Sequence, residues 1–148
     1  MIYKKNTSKY KEIDHTADVG ISATGESLPE LFSNLTFGML HIMTTAARTT
    51  GKTQRSVQLA EPSLPDLVVS WLSEINYLFH VHHYLLDTIN SITIDESPPS
   101  YRLYAKLTGN NIANLASCLK TEIKAVTYHQ LACEIENDHY ISRVIFDI

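Results

Sequence analysis

Two carboxylates, an imidazole and a hydroxyl fall within five residues at Asp14-His15-Thr16-Ala17-Asp18. An alternating strand pattern follows at once, with Val19, Ile21 and Ala23 set against Gly20, Ser22 and Thr24. Three readings of the cluster are open. If the segment is extended throughout, Asp14, Thr16 and Asp18 share one face, because successive strand residues point to opposite sides. If 14–17 is a turn, the Asp and Thr side chains serve to hydrogen-bond the backbone. Third, two acids this close at a strand start suit a hard cation, which takes oxygen ligands.

The far end of the chain carries the second constellation. The sequence closes on Val144-Ile145-Phe146-Asp147-Ile148, and Ile123-Lys124-Ala125-Val126-Thr127-Tyr128-His129 comes shortly before it. Each piece is short, but their order and spacing resemble the archease family. Leu28-Pro29-Glu30-Leu31-Phe32 is similar to that family's first helix and Trp71-Leu72-Ser73-Glu74-Ile75 to its second. The resemblance runs over residues 10–148.

The resemblance implies that Asp18, Asp147 and the terminal carboxylate of Ile148 come together as oxygen ligands for Ca²⁺, Mg²⁺ or Mn²⁺. It also favours a charge role for Lys124. Asp14, as a further ligand or an acceptor orienting a neighbour, and His15 are read as adjacent to the site, and Tyr128 and His129 as lining the same region. The implied function is that of a cytoplasmic accessory factor for an RtcB-type RNA ligase in tRNA splicing or RNA repair. It would promote ligase guanylylation and multiple turnover rather than act as an enzyme itself. Two other classes remain beside it: a metal-dependent phosphohydrolase using Asp18, Asp147 and Lys124, and a binding module with a structural ion. One departure stands out. Archeases often carry a His a few residues before the Lys-Ala-x-Thr-Tyr segment, and Ser117-Cys118-Leu119-Lys120 stands there instead.

Composition narrows the classes. The chain has 148 residues, enough for one domain over 1–148, with polar residues 1–8 read as frayed. Its net charge is −4 and its basic residues are scattered, so strong direct nucleic-acid binding is not expected. Cys118 and Cys133 form no Cys-x-x-Cys pair and read as reduced thiols. No apolar run after Lys4 and Lys5 suggests a signal peptide, and none is long enough to span a membrane. His80, His82 and His83 lack a zinc-ligand spacing.

The positioning elements can be read in outline. A short strand over 10–13 leads into the acidic cluster, and the next strand ends near Gly25. Ser27 with Glu30, and Ser63 with Asp66, are helix-start signatures. Apolar spacing extends the first helix from Leu28 to Met43 and the second to about His80. Strands are expected over 53–60 and 88–95 and from Tyr101 through Leu107, the last two forming a hairpin across Pro98-Pro99. Residues 109–118 read as irregular. One long strand is expected over 121–136, covered on both faces or bulged near His129, and 140–148 returns after an Asn137-Asp138 turn. The expected fold is α+β: a sandwich of mostly antiparallel strands with two main helices.

Overall fold

The computed structural model describes residues 9–15, 18–45 and 51–148, with Asp14 and His15 described by their backbone. In chain order the elements are β1 (Tyr10–His15), β2 (Asp18–Gly25), α1 (Leu28–Met43), β3 (Thr53–Glu61), α2 (Leu64–His80), β4 (Tyr84–Ser97), β5 (Ser100–Asn111), β6 (Ala125–Val126), β7 (Ala132–Glu136) and β8 (His139–Asp147). Every strand pair is antiparallel, and the fold is α+β as expected. The expected fraying of 1–8 lies outside the described residues.

Two compact units emerge, one within Ala46–Cys118 and the other formed by Tyr3–Thr45 and Leu119–Ile148. In the first, the strands order as β3-β5-β4. Ser63 caps α2 by accepting the Asp66 N–H at 3.2 Å, and Pro65 follows in the first turn, where no intrahelical donor is lost. Trp71, Leu67, Val68, Leu72 and Phe79 on α2 are fully buried, as are Leu103 and Leu107 on β5. Inside this unit the Tyr84 hydroxyl donates to the Thr53 carbonyl at 2.9 Å. Burial pushes its phenol up to about 12, with the Arg55 guanidinium over the ring partly offsetting that rise and Asp87 adding to it.

Strand β4 begins at Tyr84, four residues before the expected start, and is bulged between Leu86 and Thr88 and between Ile89 and Ser91. Its first three residues, Tyr84, Leu85 and Leu86, are all buried, so no polar-apolar alternation marks them. Strand β5 likewise runs on to Asn111, leaving a shorter irregular stretch than expected.

In the second unit the strand path is β1-β2-β8-β6, with β7 also paired to β8. Ser27 caps α1 by accepting the Glu30 N–H at 3.2 Å. Helix α1 lies on β2, and Gly38 brings its backbone close to the sheet: a Cβ there would stand 3.2 Å from the Tyr10 ring and 3.4 Å from Ile21. Leu31, Phe32, Leu35 and Met39 of α1 are fully buried, as are Ile21, Val144 and Phe146 of the sheet. These three lie on the α1 side of β2 and β8, which fixes the opposite face for their alternating neighbours.

The expected long strand over 121–136 is instead two short ones. Strand β6 pairs Val126 with Phe146, and β7 pairs Ala132 with Arg143, so residues 127–131 stand opposite only Val144 and Ile145. The excess chain leaves the ladder as a small excursion. Asn137 and Asp138, at φ 51° and 63°, then make the two-residue turn into β8. Asn and Asp tolerate that left-handed region, and such turns match the twist of the strands they join. Among the described residues no helix is long and apolar enough to cross a membrane.

Candidate functional site

Asp18 opens β2 and Asp147 closes β8, and they are direct partners in the antiparallel ladder. Direct partners project to the same face, with Cβ atoms typically about 4.5–5.5 Å apart. Val19 and Phe146, the next rung, occupy the other face and are buried. Asp18 is half-buried and Asp147 exposed. Ile148, directly beyond, is 39% exposed although it is a large apolar residue.

The residue just before the third strand, Lys124, is the cation. Ala125 pairs with Asp147, and the Lys124 N–H donates to the Asp147 carbonyl at 2.8 Å. That bond fixes the Lys124 backbone beside the acid while its side chain stays exposed. Residues 18, 124, 147 and 148, far apart in the chain, therefore meet at one end of the sheet.

The reading in which Asp14, Thr16 and Asp18 share a face of one continuous strand is corrected. Antiparallel pairing of His15 with Asp18 and of Asp14 with Val19 puts the chain reversal between β1 and β2. Asp14 and Asp18 thus belong to different strands and different rungs. Thr16, Ala17 and the side chains of Asp14 and His15 lie outside the described residues.

Tyr128 and His129 sit on the excursion between β6 and β7, and both are exposed. Sequence reasoning missed the residue that holds this excursion. The Thr127 N–H and Oγ1 both donate to the Ile145 carbonyl, at 3.0 and 2.8 Å, and Oγ1 accepts the His129 N–H at 3.2 Å. The available signal was the shift of apolar parity between Ile123 and Leu131. His80 ends α2, and His82 packs its ring on Tyr77 at 5.2 Å. Among the described residues no group of three or more His, Cys, Asp or Glu side chains is placed to hold a metal. Neither Cys118 nor Cys133 is joined in a disulfide.

The Asp18–Asp147 rung can be tested for fit to a cation. Like charges directly opposite in a ladder repel, and a shared cation removes that penalty. The donors available there would all be oxygen: two side-chain carboxylates and a main-chain oxygen of Ile148. Such a set suits Ca²⁺, Mg²⁺ or Mn²⁺ and leaves coordination positions open for water or phosphate.

Fold and site together define a small α+β protein whose chemistry-bearing residues are an oxygen-donor acidic pair with a lysine fixed beside it. A model of the Archease protein family matches residues 10–148. The chain is 36% identical to the Methanosarcina acetivorans protein archease, over 95% of this chain and 96% of that one. It is 28% identical to the Sulfurisphaera tokodaii protein archease, over 95% of this chain and 99% of that one. The chain belongs to the archease family. Among solved structures it is similar to a Methanobacterium thermoautotrophicum protein, at TM-score 0.79 and 25% identity, covering 95% of this chain and 99% of that one. A Thermotoga maritima protein described as an archease, possible chaperone, shares the fold at TM-score 0.56 and 20% identity, covering 93% of this chain and 96% of that one.

Proposed function

We propose that this chain is a cytoplasmic, metal-binding accessory factor that activates an RtcB-type RNA ligase, promoting its guanylylation and multiple turnover in tRNA splicing or RNA repair. The observation that carries the reading is the meeting of Asp18, Lys124, Asp147 and Ile148 at one end of the β2-β8-β6 sheet. Those are the residues that resemblance to archeases singles out. Asp18, Asp147 and a main-chain oxygen of Ile148 would hold a hard divalent cation, Ca²⁺, Mg²⁺ or Mn²⁺. Such a cation, when bound, stabilises charge on a transferring phosphoryl group. Lys124, exposed and held by its backbone beside Asp147, offers a point charge to phosphate. In the ladder the backbone of β1 brings His15 opposite Asp18 and Asp14 opposite Val19, the positions of site-adjacent residues.

The test is guanylylation of the ligase with GTP and a divalent metal, with and without this chain. Faster guanylylation in its presence supports the activator. Hydrolysis of phosphate esters by the chain alone would make it a phosphohydrolase, and no effect in either assay would leave a binding module.

Lys124 provides a separate check. Its side chain is exposed, so Lys124→Ala is expected to change stability by no more than about 0.5 kcal/mol. A charge-assisted hydrogen bond to phosphate is worth about 1.5–3 kcal/mol, so ligase stimulation is expected to fall by roughly 10- to 100-fold. Undiminished stimulation by a folded Lys124→Ala protein would remove the residue from the mechanism.

A further inference from the structure

The outer face of the β3-β5-β4 sheet lies far along the chain from the acidic rung and carries different chemistry. Strand alternation buries Val57 on β3 and Leu103, Ala105 and Leu107 on β5. It therefore turns Arg102, Tyr104 and Lys106 of the central strand to the opposite side, and all three are exposed. Register sets Tyr104 between Gln58 on β3 and Thr93 on β4, and Lys106 between Ser56 and Ser91. Two shallow hollows open on this face, one lined by Gln54, Ser56, Asn90 and Lys106, the other by Gln58, Thr93, Tyr104 and Lys106. Asp95 also lies on this face; it stands opposite Arg102 and accepts the Ser97 hydroxyl at 2.6 Å.

We infer that this sheet face is a binding platform for single-stranded RNA. An exposed aromatic on a central strand, 42% accessible at Tyr104, offers a stacking surface to a base. A cation on either side of it along the strand, at Arg102 and Lys106, matches the charge of a phosphate backbone passing over the ring. The flanking Gln, Ser, Thr and Asn side chains both donate and accept hydrogen bonds, as base edges and 2′-hydroxyls require. The net charge of −4 does not oppose this, because register gathers two of the scattered cations, Arg102 and Lys106, onto one face. Two cations make a weak and salt-sensitive grip, suited to presenting a strand rather than retaining it. The choice of RNA over DNA rests on the proposed role beside an RNA ligase.

The test is a fluorescence titration of the full chain with single-stranded oligouridylate and oligoadenylate of about ten nucleotides, within the usual 4–16 site size. Two phosphate contacts predict a slope of about −1.4 in log K against log salt, falling to about −0.7 in Lys106→Ala. Tyr104→Ala is expected to weaken binding at least about fivefold, while Tyr104→Phe retains it. Absence of binding at low salt overturns the inference, as does equal affinity of the Tyr104→Ala and native chains. So does equal displacement by polyglutamate, which would mark the face as a seat for acidic polypeptide. If Tyr104→Ala does not fold, the salt slope of Lys106→Ala decides. Guanylylation measured without RNA keeps the two readings apart: Tyr104→Ala should stimulate it as the native chain does. A native chain that binds RNA but leaves guanylylation unchanged would overturn the ligase role alone.

Discussion

Asp18→Ala is expected to lose divalent-cation affinity by more than the 10- to 100-fold that removal of a merely supporting partner costs, while the protein stays folded. Asp18 contributes a carboxylate directly opposite that of Asp147, so its removal leaves one acidic side chain where two shared the charge. A hard cation loses both an oxygen ligand and half of the side-chain attraction. Folding loses little, because truncation also relieves a like-charge cross-strand pair, a matter of about 0.2–1 kcal/mol. Metal-dependent stimulation of the ligase should disappear with the affinity. Calorimetric titration of native, Asp18→Ala and Asp147→Ala proteins decides the point. Equal affinities across the three would sink the shared-cation reading.

Gly20→Val should damage both the fold and the site. A Cβ at Gly20 would stand 2.7 Å from the Val144 carbonyl oxygen and 2.7 Å from the Ile145 Cδ1. The methyl of Ile145 can turn away, but the carbonyl belongs to the β8 ladder and cannot move without β8. Overpacking of this kind typically costs about 1–3 kcal/mol, and the upper end is expected where backbone must shift. Gly20 lies on the same face of β2 as Asp18, one side-chain repeat along, and its partner Ile145 lies the same distance from Asp147. Moving β8 to admit the valine therefore separates the two carboxylates. Thermal unfolding and metal titration should fall together in this variant, whereas Asp18→Ala lowers the second alone. Native melting behaviour in Gly20→Val would contradict the close approach of the two strands.

The helices were legible because their starts carry local chemistry. Ser27 with Glu30 and Ser63 with Asp66 are cap pairs that act within a single turn, and both helices begin and end where the apolar spacing places them. The start of β4 was not legible because Tyr84-Leu85-Leu86 is buried throughout and offers no period. The break between β6 and β7 left a trace, the change of parity near His129, but its size depends on hydrogen bonds to Ile145, which local sequence does not contain. The acidic rung is similar. Neither carboxylate specifies the other; resemblance suggested their meeting, and the β2-β8 register gives it a structural basis. The outer face of β5 was present as alternation in Tyr101 through Leu107. Its companions on β3 and β4 became known only through the ladder.

The place of β8 in the sheet also sets a timetable for synthesis. This strand is bonded to β2 on one side and to β6 and β7 on the other, and it follows all three in the chain. Asp18 and Asp147 are 129 residues apart, so at about 5–20 residues per second a ribosome needs roughly 6–26 s to produce the second after the first. Throughout that interval β2 has an open edge where β8 will bind, and its buried residues Val19, Ile21 and Ala23 lack their finished setting. Ribosome-bound chains halted before His139 should be cleaved by protease within Val19–Ala23, and chains carried past Asp147 should resist. Equal resistance in the two would mean that β2 is sheltered before its partner exists. A nascent chain that must wait in this way is exposed to holdase binding and degradation for longest over the strand that bears the first of its two acids.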